Sequence, residues 1–189
     1  MKNIAIFASG NGSNFEAIAE NIANGNIKAN LALMFCNKKN AYVIDRAKKY
    51  NVETLVLQLK DFDNKEEFER KVIEKLKLLK IDLICLAGYM LYIGPTLLAE
   101  YEGKIINIHP ALLPAFKGAH GILDAYNYGV KVYGVTVHYV DSGVDSGKII
   151  DQDSFHDDGY TLEEIETKIH EIEHYLYPRV VKKLVEGEI

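Results

Sequence analysis

Residues 170–174 read HEIEH and match the H-E-x-x-H pattern of zinc metalloproteases. Residues four apart on a helix share a face, so both histidines could bind one ion while Glu171 acts as general base on a metal-bound water. A catalytic zinc needs a third protein ligand, and the extended metzincin pattern has a glycine and a histidine where this chain has Tyr177 and Val180. A metalloprotease site is therefore the weaker interpretation of this segment.

A loop near the amino terminus has the composition of an anion site. Residues 9–14 read SGNGSN and lie between an apolar run and a segment with helical periodicity. The backbone amides of Gly12, Ser13 and Asn14 at a helix start could bind a phosphate. Phe15 replaces the third glycine of a dinucleotide fingerprint, and the loop lacks the Gly-Lys-Ser/Thr end of a P-loop. We predict a phosphate site for a ligand no larger than a mononucleotide; the alternative is that Ser13 or Asn14 only caps the helix.

Two later loops carry side chains suited to proton transfer. Asn107 and His109 alternate at the end of an apolar run, so an amide donor and an imidazole can face one small group. Residues 140–147 read VDSGVDSG and contain Asp141 and Asp145. An acid beside an imidazole stabilises the protonated ring and supplies a proton acceptor. The alternatives are a buried structural histidine and two solvated turn aspartates.

The elements that must position these loops alternate along the chain. Apolar runs rich in branched residues are IAIFAS, LALMFC, TLVLQL, LICLAG and KIINI. Segments with helical periodicity include FEAIAENIANG, AYVIDRAKKY and FDNKEEFERKVIEKLKLLK. This order predicts an α/β fold with a Rossmann-like, open, mostly parallel sheet and helices on both faces. Ligands bind such a sheet beyond the carboxyl ends of its strands, where the loops lie.

The pattern changes after His109. A helix is predicted near ILDAYNYG, and YGVTVHYV alternates as an antiparallel or edge strand would, so we expect a mixed sheet in the C-terminal part. The stretch TLEEIETKIHEIEHYLYPRVVKKLVEG predicts a long amphipathic helix, bent or broken at Pro178. HEIEH is therefore expected on a helix.

Length and composition restrict the class of protein. A chain of 189 residues is expected to form one domain over residues 1–189. The net charge of -5 gives no general electrostatic reason to bind nucleic acid or an anionic membrane. Neither a secretory signal nor a membrane span is recognisable, so we expect a cytoplasmic protein. Cys36 and Cys85 lie in apolar runs and are expected to be buried, reduced thiols.

Four segments, in this order, resemble the formyltransferases that use 10-formyltetrahydrofolate: FASGNGSNFEAI, LAGYM, INIHPALLPAFKGAHG and YGVTVHYVDSGVDSGKII. The resemblance covers nearly the whole chain. The Asn-x-His-Pro segment and the Asp-x-Gly loop are shared by all transferases and hydrolases of this superfamily. The GNGSN loop and the length of the chain resemble those of the branch that formylates glycinamide ribonucleotide in purine biosynthesis. The resemblance implies the formyltransferase fold, one-carbon transfer from 10-formyltetrahydrofolate as cosubstrate, and no metal.

The resemblance also implies roles for individual residues. The catalytic positions fall on Asn107, His109 and Asp145. The nucleotide positions fall on Gly12, Ser13 and Asn14 for the phosphate and on Glu173 for the amine side. The folate positions fall on Met90, Leu91, Tyr92, Ile93, Asn107, Asp141 and Val144, with the glutamate tail near Lys65. Departures from the family pattern include Leu91, Lys148 and His170, which bear on affinity and leave the three catalytic positions unchanged.

The expected partners are glycinamide ribonucleotide and reduced folate, with no nucleic acid or membrane, in a monomer or weak homodimer. Two further hypotheses stay open. A hydrolase would pass the formyl group to water with the same Asn107, His109 and Asp145. A non-catalytic binding protein would bind folate or a ribose phosphate and turn over neither.

Overall fold

The computed structural model describes residues 1–189, and its centre is one sheet of seven strands. The strands are β1 (Lys2–Ala8), β2 (Ala29–Cys36), β3 (Thr54–Val56), β4 (Leu83–Leu86), β5 (Ile105–His109), β6 (Val132–Tyr139) and β7 (Ile149–His156). Their order across the sheet is β3-β2-β1-β4-β5-β6-β7. Strands β1 to β5 pair in parallel, whereas β6 is antiparallel to β5 and β7 is antiparallel to β6. The prediction of a mostly parallel sheet that becomes mixed towards the C-terminus is confirmed.

Helices cover both faces of this sheet. They are α1 (Ser13–Ala23), α2 (Val43–Lys49), α3 (Lys65–Leu78), α4 (Pro95–Glu100), α5 (Gly121–Tyr128) and α6 (Leu162–Glu186), with a short 3-10 turn at Leu59–Asp61. One apolar cluster packs α1, α2, α5 and α6 against the sheet, and a second packs α3 and α4 against its other face. Along β1, Ile4 and Ile6 belong to the first cluster and Ala5 and Phe7 to the second. Burial on both faces is why the strands read as continuous apolar runs.

Two elements escaped the sequence analysis. Strand β7 has the sequence IIDQDSFH and is half exposed at the edge of the sheet, so it lacks an apolar run. Helix α4 has only six residues, too few for a helical period to show. The segment YGVTVHYV is predicted to be an antiparallel or an edge strand. Because β7 forms the edge, β6 lies inside the sheet and is an antiparallel strand.

Helix α6 is continuous through Pro178, so a break at this residue, one of the two predicted possibilities, is wrong. The residues around the proline, Leu176, Tyr177 and Val180, are fully buried against the sheet. The Tyr177 hydroxyl also donates to the carbonyl of Leu86 at 2.9 Å. This packing holds the helix in place although a proline cannot donate its backbone hydrogen bond.

The strand order brings the loops that carry polar side chains together at one end of the strands. The chain moves outward from β1 to β3 and then returns to the other side of β1 with β4 and β5. A crevice forms at such a reversal, beyond the carboxyl ends of the strands.

Both cysteines, Cys36 and Cys85, are buried and unpaired, as predicted. None of the helices is both long and apolar enough to span a membrane.

Candidate active site

A cavity of about 470 Å³ lies at the carboxyl ends of β1, β4 and β5. Its walls include these residues singled out in the sequence: Gly12, Ser13, Asn14, Met90, Leu91, Tyr92, Ile93, Asn107, His109, Asp141, Val144, Asp145 and Glu173. Lys65 does not line the cavity. Its ammonium donates to the carbonyl of Tyr92, which does line it. The structure thus brings residues from five separate segments to one chamber.

Asn107 is oriented by a histidine that the sequence analysis did not single out. Asn107 on β5 and His138 on β6 are direct cross-strand partners. The Nδ1 atom of His138 lies 2.8 Å from the carbonyl of Tyr139, and its Nε2 lies 3.3 Å from the Asn107 amide nitrogen. When the ring is neutral with its proton on Nδ1, Nε2 accepts and holds the amide with its nitrogen towards His138; when the ring is protonated, Nε2 instead points a proton at Asp145. The second amide N–H of Asn107 is left for a ligand in the cavity. Only the β5–β6 register identifies this pairing.

His109 is buried and has an oxygen acceptor at each ring nitrogen. Its Nε2 lies 2.8 Å from the carbonyl of Phe116, and its Nδ1 lies 3.4 Å from Asp145 Oδ2. A protonated ring can donate to both. The carbonyl of Phe116 was not predicted as a partner, since it depends on the path of the loop after Pro110 rather than on a side chain.

Asp145 lies between two imidazole rings. Its Oδ1 is 3.6 Å from Nε2 of His138, and its Oδ2 accepts from the amide of Gly118 at 2.8 Å. Burial raises the pKa of the Asp145 carboxyl, but the hydrogen bonds from His138 and Gly118 and the charge of the His109 and His138 rings outweigh burial, so the pKa lies below its ordinary value. Asp145 is therefore ionised at neutral pH and can accept a proton.

The loop that carries Asp145 is shaped by Asp141. The carboxylate of Asp141 accepts from the Ser146 hydroxyl at 2.7 Å and from the Gly143 amide at 3.0 Å. The hydrogen bond from Ser146 is the main reason why the pKa of Asp141 is lowered. Gly147 closes the turn, because a Cβ at this position would overlap the carbonyl oxygen of Tyr139. A solvated turn aspartate describes Asp141 well, whereas Asp145 faces the two rings.

The anion loop is built by backbone rather than by a side-chain cap. Gly12 is the N-cap of α1 with φ of 80°, and no side-chain hydrogen bond caps this helix end. A Cβ on Gly12 would overlap the side chain of Val43. Arg46 from α2, which the sequence analysis did not single out, holds the loop by donating to the Asn11 carbonyl at 2.9 Å and to the Asn11 side chain at 2.8 Å. The first-turn amides of α1 remain available for an anion.

Glu173 is buried on α6 and lies beside the anion loop. Its Oε2 accepts from His170 Nδ1 at 2.9 Å and from the Asn14 amide nitrogen at 3.3 Å. The side-chain oxygen of Asn14 is buried without a hydrogen-bond partner in the protein. Asn14 and Glu173 both line the cavity, so an amide oxygen and a carboxylate are available at this end for a ligand that donates hydrogen bonds.

The two histidines of HEIEH are not arranged as a ligand pair. Nδ1 of His170 is engaged with Glu173, and the two rings stack with centroids 6.5 Å apart. The chain contains no group of three or more His, Cys, Asp or Glu side chains placed to hold a metal ion. Glu171, the general base of the metalloprotease interpretation, is exposed. His170 and Glu173 of this segment line the cavity, and Glu173 is the buried one of the two.

The His170–Glu173 contact should make stability depend on pH. The hydrogen bond to Glu173 raises the pKa of His170 above its ordinary value of 6.5. Its stabilisation is fully present below 6.5 and is lost as the pH rises through the folded value. We predict that His170→Gln lowers the free energy of unfolding at acidic pH by less than about 1 kcal/mol, because about half of the ring is exposed.

Urea unfolding of both proteins from about pH 5.5 to about pH 8.5 measures this difference. The difference should vanish at the alkaline end. A constant difference across the range would mean that the contact does not depend on the proton of His170.

Known proteins resemble this chain in sequence and in fold. The model of the family described as formyl transferase matches residues 2–181. A phosphoribosylglycinamide formyltransferase of Bacillus subtilis is 51% identical over 98% of this chain and 95% of the relative. A crystal structure of the protein of the same name from Streptococcus pneumoniae has a TM-score of 0.92 at 50% identity, covering 98% of this chain and 99% of that one. A glycinamide ribonucleotide transformylase of Geobacillus kaustophilus has a TM-score of 0.95 at 49% identity, covering 97% and 98%. With this agreement of fold and of sequence, the chain belongs to the formyl transferase family.

Proposed function

We propose that this chain transfers the formyl group of 10-formyltetrahydrofolate to the amine of glycinamide ribonucleotide, giving the formylated nucleotide and tetrahydrofolate in de novo purine biosynthesis. The observation that carries the proposal is the single cavity that joins the anion loop to Asn107, His109 and Asp145. The curated relatives with high identity are named for this reaction.

The nucleotide is assigned to the end of the cavity formed by α1 and α6. Its phosphate accepts from the backbone amides of Gly12, Ser13 and Asn14, where the helix dipole favours an anion. Its amine side faces the carboxylate of Glu173, which lies beside Asn14. Phosphate and amine are thereby bound by groups of opposite character, so the substrate has one orientation.

The folate is assigned to the other end of the cavity. Residues 90–93 supply one wall, and the loop that carries Asp141 and Val144 supplies the other. A flat pteridine fits an apolar slot of this kind. Lys65 contacts the carbonyl of Tyr92 in this segment, and we assign its ammonium to the glutamate tail of the folate where the tail leaves the cavity.

The amine of the nucleotide attacks the formyl carbon on the folate nitrogen. The carbonyl oxygen becomes an oxyanion in the tetrahedral intermediate, and the free N–H of the Asn107 amide is the first donor that stabilises it. We assign the second donor to protonated His109, whose Nδ1 would leave Asp145 for the oxyanion. Asp145 is then free to take the proton of the attacking nitrogen and pass it, through a water, to the folate nitrogen as the C–N bond breaks.

A pair of variants on α6 tests the nucleotide site. We predict that Glu173→Gln raises the KM for glycinamide ribonucleotide on the order of tenfold and changes kcat much less, because an ionic contact to the bound substrate is lost. Glu171→Gln is the matched control, since Glu171 is exposed on the same helix. Steady-state kinetics of formyl transfer by the two proteins measures the difference, and equal KM values for both variants would contradict the assignment of Glu173 to the nucleotide.

An absorbance assay for the folate product tests the reaction. Purified protein is mixed with 10-formyltetrahydrofolate, with and without glycinamide ribonucleotide, before and after treatment with a chelator. We expect turnover that requires the nucleotide and survives the chelator. Turnover without the nucleotide would identify a hydrolase, and folate binding without any turnover would identify a binding protein.

We also propose that the chain works in the cytoplasm as one domain, in a monomer or weak homodimer, without nucleic acid or membrane partners. The net charge of -5 supports the absence of polyanionic partners. Light scattering during size-exclusion chromatography measures the oligomeric state directly.

A further inference from the structure

One buried acid has no part in the chemistry described above. Glu69 on α3 is only 3% exposed. Its two carboxylate oxygens accept hydrogen bonds from the amides of Gly94, at 2.5 Å, and Leu97, at 3.0 Å. A buried carboxylate is tolerated when backbone amides bind it, and the bonds that it then makes are among the stronger ones in a protein. Glu69 therefore fixes the backbone where residues 89–93 enter α4.

Residues 89–93 form one wall of the cavity and have no helical or strand hydrogen bonds of their own. Their side chains alternate between the apolar cluster and solvent. Tyr89, Leu91 and Ile93 pack on the apolar cluster under α3, whereas Met90 is 63% and Tyr92 is 67% exposed. A segment of this kind keeps its shape only through contacts with its neighbours.

Side chains supply these contacts at three points. The amide of Met90 donates to the hydroxyl of Ser9 at 2.8 Å near the start of the segment. The ammonium of Lys65 donates to the carbonyl of Tyr92 in its middle. The carboxylate of Glu69 accepts from the amide of Gly94, directly after the segment. Of the two charged side chains among these contacts, Glu69 is buried and Lys65 is not.

We propose that Glu69 is a positioning residue for the folate: its carboxylate sets the path of residues 89–93 and thereby the width of the slot that receives the pteridine. The inference rests on the proposed function. Glu69 does not line the cavity, so it acts on the ligand only through this segment. A Cβ added to Gly94 would lie 2.7 Å from Glu69 Oε1, which shows how closely the carboxylate and the backbone fit.

Two variants disturb this contact from opposite sides. Glu69→Gln keeps the shape of the side chain but presents a donor to one of the two amides, and Gly94→Ala pushes the backbone away from the carboxylate. We expect each to weaken binding of tetrahydrofolate, measured by calorimetry, and to raise the KM for 10-formyltetrahydrofolate by about five- to tenfold. The KM for the nucleotide should stay within about twofold of the wild-type value. Because both changes break the same contact, the double variant should bind tetrahydrofolate as tightly as the weaker-binding single variant does.

A matched control separates positioning from loss of stability. Ile27 is buried just before the amino end of β2, and the cavity lies at the opposite, carboxyl ends of the strands. Ile27→Ala should therefore lower Tm without changing folate affinity. Unchanged tetrahydrofolate affinity in the Glu69 and Gly94 variants would overturn the inference, as would equal losses for nucleotide and folate. Wild-type protein that binds tetrahydrofolate but transfers no formyl group would instead refute the proposed function, and the calorimetric comparison would still decide the role of Glu69.

Discussion

Asp145→Asn is expected to lower kcat by about 10²- to 10⁴-fold, the range for loss of general acid–base catalysis. Asparagine keeps the size of the side chain and the hydrogen bond from Gly118, but it carries no charge and cannot accept the proton of the attacking amine. The lowered pKa of Asp145 means that the wild-type carboxylate is ionised throughout neutral pH. The loss should therefore persist across the neutral range instead of appearing at one end of it.

The measurement is the pH profile of kcat for the wild type, the variant and a control. Asp158→Asn is a suitable control because Asp158 is exposed in the turn after β7 and contacts only the Tyr160 hydroxyl among side chains. The control should retain wild-type kinetics. An Asp145→Asn protein with full activity at neutral pH would show that the His109–Asp145 pair does not move the proton.

Asn107→Ala is expected to lower kcat by about 10²- to 10³-fold, with the KM of each substrate changed only a few-fold. The amide of Asn107 is assigned to an oxyanion that exists in the tetrahedral intermediate and not in the bound substrates. Its orientation is set by His138, 3.3 Å away, rather than by the substrate. Removal of the amide should therefore affect the chemical step and spare binding.

Ile106→Val is the matched control for this strand, because Ile106 precedes Asn107 on β5, packs in the apolar cluster and does not line the cavity. Its kcat should stay within about twofold of the wild type, as expected for a small change of core volume. A rise in both KM values of Asn107→Ala with an unchanged kcat would assign the amide to ground-state binding instead.

Much of the fold follows from local patterns. Each of the five apolar runs became a parallel strand because helices cover both faces of the sheet, so burial leaves a continuous record in the sequence. Strand β7 left no such record, since one half of its side chains faces solvent at the edge of the sheet. The predicted break at Pro178 is wrong because burial of Tyr177 and Val180 outweighs a local preference for a helix end.

The candidate site divides in the same way. Asn107 and His109 stand out because they lie at the carboxyl end of a parallel strand, where ligands bind, and Asp145 stands out because it lies in a glycine-containing loop after a predicted strand. His138 and Arg46 do not stand out, since their importance comes from partners far along the chain: Asn107 for one and Asn11 for the other. The carbonyl of Phe116 beside His109 belongs to the backbone, and no residue type marks it.

The central claim is that one cavity holds both substrates and moves a formyl group between them. A single-turnover experiment with an isotopically labelled formyl carbon on 10-formyltetrahydrofolate, excess protein and glycinamide ribonucleotide, followed by nuclear magnetic resonance, tests it most directly. We predict that the label moves to the amide of the formylated nucleotide. Release of the label as free formate, or its retention on the folate, would contradict the account.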